Sequence, residues 1–595
     1  MHDEIAKPNC AARDRLPPMP GLRLGLGRMA RLAGAKLDCV FELDRFQRLA
    51  LTLETRLQPH VAHSGEVGGI EVWFDGYLTE VNGVGYAGSR PAAAIAALFA
   101  QDGVRALARL RGSYTALIWE TPRRRALVFT DRRGSRPLFL RAAGPHAVAL
   151  APTIDALRAP DEAPFTLDAE GLAELLLSRT FCDRRSLFRE VQRFPAASYL
   201  EIDAAGFRFA PYWQPGEAER TLGDDQLIEE LHALVRQAVA RALHRVERPV
   251  LLLSGGVGSR LLLGTILDLG LSPSVVSFGP GPGSDDDDGS IASHVAASCD
   301  LKVAHHACDL EFGALAQTAR MYDCRAEVFD TVPSPRVVGE LAVAHAAFIS
   351  GDSFPGRAHG VESTDAALRA VHFHPLASMP WLARNWLRGP VRDQVQVLHR
   401  DLARNWLRGF GRPEPNVFRD RLFYRDRIGN YANALAAGKL RFLEQARPLL
   451  DEDLVDFLFR LPPETRCGRK LLRGVMARYH PNLHRLPYAE ADAAEATAER
   501  FRSNLHTTPG YADALLEQLL DGMDARLAEL LDRDALRGFI STVAREGSLR
   551  AAPYDLIGRL PLVRRWQRHP RSTALNPLAA LLRLLQVNLY LTAPA

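Results

Sequence analysis

The sequence predicts a chain of mixed class, α+β then α/β: a sheet-rich N-terminal unit followed by a unit with a parallel sheet and a helical end. Three observations predict it. Strand-like runs dominate to about residue 213. At 249–267 four apolar residues after a proline run into a glycine-rich turn and then an apolar helix. From about residue 390 onward helical patterning takes over. At 595 residues the chain exceeds what one core usually supports, and its 47% apolar content is enough for two.

Taken in order, residues 1–20 are polar, contain Pro8, Pro17, Pro18 and Pro20, and read as an irregular arm. The first unit spans 21–215. Its expected strands are Gly69–Phe74, Tyr114–Trp119, Ala126–Phe129, Ala147–Leu150 and Ser198–Ile202, with a helix over Pro91–Ala100. That pattern fits stacked sheets with flanking helices. Gln214-Pro215-Gly216-Glu217 reads as a linker into the second unit, 220–595. A helix from about Asp225 to Val246 opens it, with Leu227, Leu231, Leu234, Val235 and Val239 on one face. The Leu251 strand, its helix and the Ser274–Phe278 strand alternate as in a doubly wound sheet, whose ligands bind beyond the strand C-termini. Leu575–Leu591 reads as an amphipathic helix interrupted by Arg583. The octapeptide Leu-Ala-Arg-Asn-Trp-Leu-Arg-Gly occurs at 382–389 and again at 402–409. It reads as two short helices packing Trp386 and Trp406, the alternative being a docking surface.

A net charge of +4 over this length argues against a nucleic-acid binder. Seven scattered cysteines without a Cys-x-x-Cys suit a reducing compartment better than a disulfide framework or a zinc site. His305-His306 and His372-Phe-His374 read as ordinary polar residues, because no third ligand sits nearby at a helical spacing. No signal-peptide pattern and no run of 18 apolar residues occurs. The expectation is a soluble cytoplasmic protein without nucleic-acid or membrane partners.

The turn Leu253-Ser254-Gly255-Gly256-Val257-Gly258-Ser259 lies between a strand and a helix N-terminus. Glycines let backbone N–H groups approach a phosphate, the serines add hydroxyl donors, and the helix dipole favours the charge. No Gly-Lys-Ser/Thr and no Gly-x-Gly-x-x-Gly is present. The segment resembles the Ser-Gly-Gly-x-Asp-Ser pyrophosphate loop of the ATP pyrophosphatases. That group contains asparagine synthetase, β-lactam synthetase and the macrolactam-forming lasso peptide cyclases. Where the family carries a magnesium-holding aspartate, this chain has Gly258.

Further segments resemble the same family. Trp73-Phe-Asp75-Gly76-Tyr77, Leu110-Arg-Gly112 through Trp119, and Thr130-Asp131-Arg132-Arg-Gly134-Ser-Arg-Pro137 look like strands of its glutaminase domain. Leu443-Glu444 through Asp451 and Gly468-Arg469-Lys470 resemble its substrate-side motifs. The resemblance implies an N-terminal Ntn-hydrolase-like (glutaminase-like) αββα domain. It also implies an α/β ATP-pyrophosphatase (adenine nucleotide α-hydrolase-like) domain with a helical C-terminal part, and ATP and Mg2+ as cofactors. His2 stands where the family's glutaminases carry cysteine, so the first domain is expected to be inert toward glutamine.

For the second domain the resemblance implies phosphate contacts from Leu253, Ser254, Gly255, Gly256, Gly258 and Ser259 and adenine contacts from Val276 and Ser277. Ser350 and Gly351 match a second nucleotide segment, whose Asp-Glu pair falls on Pro355 and Gly356. Asp352 and the Asp285–Asp288 run, Asp287 and Asp288 above all, are the substitute metal ligands; a solvated turn is the other reading of the run. Glu444 is a candidate to orient or deprotonate the attacking amine, or a surface partner of Arg447 or Arg441. Arg469 and Lys470 stand near the family's pyrophosphate-expelling lysine. The implied activity is an ATP-dependent amide ligase. Its substrate would be a peptide or a small carboxylate and amine, with lasso macrolactam closure preferred and a precursor peptide and its protease as partners. The rivals are a degenerate paralogue that binds a peptide or partner, and asparagine synthesis from free ammonia.

Overall fold

The computed structural model describes residues 16–26, 39–43, 48–54, 66–216, 223–246, 248–279, 288–307, 310–327, 332–354, 359–371, 386–389, 391–393, 414–489, 493–545 and 577–593. Three sheets organise them. The first is antiparallel, in the order β11-β9-β10-β1-β3-β2, from β1 (Gly21–Leu26), β2 (Cys39–Glu42), β3 (Arg48–Glu54), β9 (Phe139–Ala142), β10 (Val148–Ala151) and β11 (Val191–Arg193). The second runs β13-β12-β8-β7-β5-β4, from β4 (Glu66–Val67), β5 (Ile70–Val81), β7 (Leu110–Glu120), β8 (Arg125–Thr130), β12 (Ser198–Asp203) and β13 (Gly206–Pro211), with β6 (Val84–Gly85) paired to β5.

Period-two alternation decides how these sheets stack. On β7, Leu117 and Trp119 join Leu22, Leu24 and Leu26 of β1 in the core between the sheets. Tyr114, Ala116 and Ile118 point the other way, onto the helix α1 (Pro91–Asp102). On the outer face of the first sheet, Phe139, Ala149 and Ala151 pack with the helix α2 (Ala169–Ser178). The layers are therefore helix, sheet, sheet, helix.

The third sheet is parallel, in the order β16-β15-β14-β17-β18, from β14 (Pro249–Leu252), β15 (Ser274–Gly279), β16 (Val303–Ala307), β17 (Ala347–Ile349) and β18 (Glu444–Ala446). The helices α3 (Asp224–Arg245) and α4 (Val257–Asp268) share a core with Leu251 on one face, and Val250, Val276 and Phe348 pack on the other. The chain starts at the central strand, moves out through β15 and β16, and then returns to the other side of β14 at β17. That reversal between β14 and β17 is where doubly wound sheets bind ligands.

Leu575–Leu591 behaves differently from its expected amphipathic pattern. The helix Pro577–Thr592 is buried on nearly every side, with Arg583 fully enclosed. Its polar residues are paired internally: Arg583 donates to Glu327 (2.7 Å) and to the Leu176 carbonyl (2.6 Å), and Gln586 to the Ala326 carbonyl (2.8 Å). Leu578, Leu581 and Leu582 share one core with α2 and with Phe139 of the first sheet. The C-terminal helix thus fills the space between the two halves. Trp386, in the first copy of the octapeptide, is buried in this core too, 5.1 Å from Phe539; the second copy lies outside the described residues.

A second junction is polar and centres on Asp131. Its carboxylate accepts from the backbone N–H groups of Tyr114 (3.1 Å), Arg133 (2.9 Å) and Ser135 (3.1 Å), which holds the 131–136 turn in shape. The arginines of that turn reach the other half. Arg132 meets Asp456 at 2.9 Å, Arg133 meets the Leu450 carbonyl and Glu452, and Arg136 meets Glu444 at 2.6 Å. Asn433 donates back to the Arg133 (2.7 Å) and Gly134 (2.9 Å) carbonyls. Replacing Asp131 with Ala would strand three buried N–H donors and release the turn, at a cost of roughly 3 to 5 kcal/mol. The expected outcome is a lower guanidinium midpoint than wild type; an unchanged midpoint and slope would show that the turn holds its shape without the carboxylate.

Candidate nucleotide site

The Ser254–Ser259 loop lies at the β14–β17 reversal. It leaves β14 through Leu253, whose N–H donates to the Val276 carbonyl at 2.9 Å. Leu253 and Val276 are wholly buried in the cores. Ser277 is buried beside them. Gly256 precedes α4, and no side chain caps the helix. Ser259 Oγ ties the loop together, accepting from Ser254 N–H (3.1 Å) and lying 3.0 Å from Ser254 Oγ. Ser254 Oγ accepts in turn from Gly256 N–H at 3.3 Å.

Asp288 is brought to this loop from the start of the helix α5 (Asp288–Ala297) and accepts the Gly255 N–H at 2.9 Å. Its carboxylate stands where an anion would sit on that donor. Asp285, Asp286 and Asp287 lie outside the described residues, as do Pro355, Gly356 and His2.

On the β17 side, Ser350 Oγ donates to Asp352 at 3.1 Å and Arg447 Nε donates to the same carboxylate at 3.0 Å. Gly351 packs directly on Gly258. A Cβ at 258 would fall 2.3 Å from the Gly351 carbonyl oxygen, and one at 351 would fall 2.3 Å from the Ser259 nitrogen. The two loops meet backbone to backbone, and each glycine is required for the contact. An aspartate does not fit at 258 without parting them.

Glu444 faces the first half of the molecule. Arg136 is its partner, in place of the expected Arg447 or Arg441, and its other oxygen accepts Gln445 N–H at 3.0 Å. Arg136 also reaches Asp75 at 3.4 Å and lies across Gly76, its Nε 2.6 Å from where a Cβ would be. Burial raises the Asp75 pKa, against the nearby Arg136 charge. Lys470 is exposed and pairs with Asp224 at 3.3 Å, while Arg469 takes left-handed backbone (φ 59°) just before that helix. The loop, Asp288, Ser350, Gly351 and Asp352 therefore flank one crevice. Glu444 belongs to the junction with the first half, and Lys470 to a surface pair.

Arg260 and Lys439 have no role in the sequence reading, and Arg447 has one only as a surface partner. Arg260, fully buried, donates to the carbonyls of Leu483 (3.0 Å), Leu486 (2.9 Å) and Pro487 (2.6 Å) and stacks on Tyr488 (4.0 Å). It pins the 483–489 segment over the loop, where Ala489 N–H donates to the Gly255 carbonyl at 3.2 Å. Arg447 is held in the interior, and its Nη2 is buried without a hydrogen-bond partner. Lys439 is enclosed against the Phe348 ring at 5.6 Å, and burial brings its pKa down to about 8, opposed by the Asp352 charge. A lone lysine in the apolar run Ala434–Leu440 is the one signal that could have drawn attention to it.

Residues 80–213 match the family model of a glutamine amidotransferase domain. With the αββα layering, the match makes the first half a glutamine amidotransferase-like domain of the Ntn type. No curated protein matches the chain. One similar solved structure is described as the allosteric regulatory enzyme of purine biosynthesis: 13% identity, 59% of this chain and 82% of that one, TM-score 0.21. Another is glutamine phosphoribosylpyrophosphate amidotransferase from B. subtilis complexed with ADP and GMP: 11% identity, 54% of this chain and 63% of that one, TM-score 0.19. Overlaps this slight carry no argument about function. Among the described residues no helix is long and apolar enough to cross a membrane.

The lysine yields a pH test. A lysine depressed in the folded state contributes stability above its unfolded pKa, near 10.5, and loses it as pH falls through about 8. At pH 7 its burial as a cation costs on the order of 3 kcal/mol. Lys439→Met should therefore be the more stable protein at pH 7, with the advantage shrinking to nothing above about pH 10.5. Denaturation midpoints of both proteins across that range check it, and a constant difference would count against the buried cation.

Proposed function

We propose that this chain is an ATP-dependent amide-bond-forming ligase of the asparagine synthetase-like kind. It would activate a carboxylate as an acyl-adenylate and pass it to an amine, and macrolactam closure of a precursor peptide is the preferred reaction. The observation that carries the reading is the convergence, at the reversal point of a doubly wound sheet, of an uncapped helix start, a Ser/Gly loop and buried cationic groups.

In this reading Ser254, Gly256 and Ser259 receive the phosphates, Gly255 joins them as phosphate displaces Asp288 from its N–H toward the ion, and the Val276–Ser277 backbone and Ser350–Gly351 lie beside the nucleoside. Magnesium is typically held by one or two carboxylates together with phosphate oxygens, and Asp288 and Asp352 lie on loops that flank the crevice. They would hold the ion, with Asp287 as a further ligand, and bound there it would offset charge on the departing pyrophosphate. Arg447 and Lys439 supply fixed positive charge from beneath, and Arg469 and Lys470 remain candidates for the outgoing pyrophosphate. Glu444, held by Arg136, positions the junction rather than taking a proton. The protein would work in the cytoplasm with a precursor peptide and its protease.

The Gly258–Gly351 contact favours a second reading, a paralogue that binds a peptide or partner without turnover, because the family's metal position is filled by backbone. Labelled-pyrophosphate exchange into ATP, with a candidate precursor peptide present, separates the two. Exchange that needs Mg2+ and falls about 10²- to 10³-fold on Asp288→Asn or Asp352→Asn supports the ligase; no exchange in wild type supports the second. Gly256→Val should remove thermal protection by ATP while leaving the apo protein intact, since a Cβ there meets nothing nearer than Ser254 Oγ at 3.3 Å. Gly258→Asp should lower stability and restore nothing.

The first domain should release no glutamate from glutamine above background. Glutaminase activity that Cys10→Ala abolishes would overturn that expectation.

A further inference from the structure

We infer that His232, Asp268 and His480 form a binding site for a divalent transition metal, zinc by its ligand set, that ties three helices together on the outer face of the parallel sheet. Each residue offers one ligand atom, and the three atoms lie within 4.8 Å of one another. His480 Nδ1 is already 3.6 Å from Asp268 Oδ2. A tetrahedral zinc with bonds of about 2.0–2.1 Å places its ligands about 3.3 Å apart, so a small closure of the three side chains completes the site. Asp268 is 44% exposed, which leaves its carboxylate free to rotate and the fourth position open to water.

One observation points to a ligand: the Nε2 atom of His232 is buried without a hydrogen-bond partner, a condition native proteins seldom tolerate without an ion or water. His480 is 6% exposed. The ring of His480 is seated by Gly264, in the middle of α4, where glycine weakens a helix. A Cβ there would lie 2.7 Å from His480 Nδ1 and 2.8 to 2.9 Å from two ring carbons, so the glycine makes room for the imidazole.

The surroundings suit a cation. Asp268 ends α4, and His480 is the C-cap of the helix Lys470–Tyr479, so two partly negative helix ends converge on the site. His232, on α3, is set by stacking on Tyr479 with centroids 3.6 Å apart and planes 8° from parallel. Burial favours neutral imidazole at both histidines, the form that offers a lone pair to a metal. The site is separate from the nucleotide crevice, because α4 runs 12 residues, about 18 Å, between them.

The test uses the full-length, tag-free protein without nucleotide. Co2+ is titrated in and followed by its visible absorption, and Zn2+ is titrated against a chromophoric chelator. One Co2+ per chain with the intense spectrum of a tetrahedral site, lost in both His232→Gln and Asp268→Asn, is the expected result. Zn2+ should raise the melting temperature of wild type and leave those variants unmoved. Neither variant disturbs the close fit of His480 against Gly264, so their folding can be verified first. Failure of wild type to bind stoichiometrically, or equal binding by the two variants, would sink the inference. Binding that survives Gly256→Val would confirm that the metal does not sit at the loop.

Discussion

The buried carboxylate of Asp131 sets the constraint on which both halves depend. By satisfying three N–H groups of one tight turn it sets Arg132, Arg133 and Arg136 where each bridges its own domain, at Ala108, Gly112 and Ser113, to the other half. Their partners, Asp456, Glu452 and Glu444, flank the edge strand β18 and the segment after it. Those elements carry Arg447 into the crevice. Buried ion pairs rarely add net stability over apolar packing, but breaking one is costly, and here they determine how one domain sits on the other. The apolar part of the junction is supplied separately, by the helix Pro577–Thr592 lodged against α2.

This arrangement accounts for the fate of the amidotransferase-like half. Arg136 lies over Gly76 and bridges Asp75 to Glu444, so side chains in motifs that resemble a glutaminase are engaged in holding the parallel sheet. The arrangement also explains why Glu444 reads from sequence as an acid–base group and is found in an ion pair.

Legibility in the sequence tracks the range of the interactions involved. Strands such as β7 and β8 and the helix α1 were readable because period-two and helical alternation are local properties. The Ser254–Ser259 turn was readable for the same reason: strand, turn and helix are consecutive. The helix Pro577–Thr592 was misread because its polar stripe of Arg583, Gln586 and Asn588 faces partners at Glu327, Ala326 and Gln518, far away in the chain. Periodicity cannot tell water from a buried network. The short strands β2 and β17 carried too little pattern to stand out, β1 and β3 went unread although leucines alternate along both, and the His232–Asp268–His480 cluster joins residues from three helices with no shared motif.

Gly258 illustrates a further limit. Sequence registers it as a missing ligand; the structure makes it a packing requirement, since Gly351 occupies the volume a side chain would need. Two buried cationic groups lie on the Gly351 side of that contact. Lys439 is kept as a poorly solvated cation beside Asp352, and Arg447 Nη2 has no acceptor. Such groups cost stability while the crevice is empty of anion, and they regain it when an anion arrives. Preorganised positive charge of this kind binds best where negative charge gathers, and Asp352, which faces both cations, joins them to the Gly351–Gly258 contact.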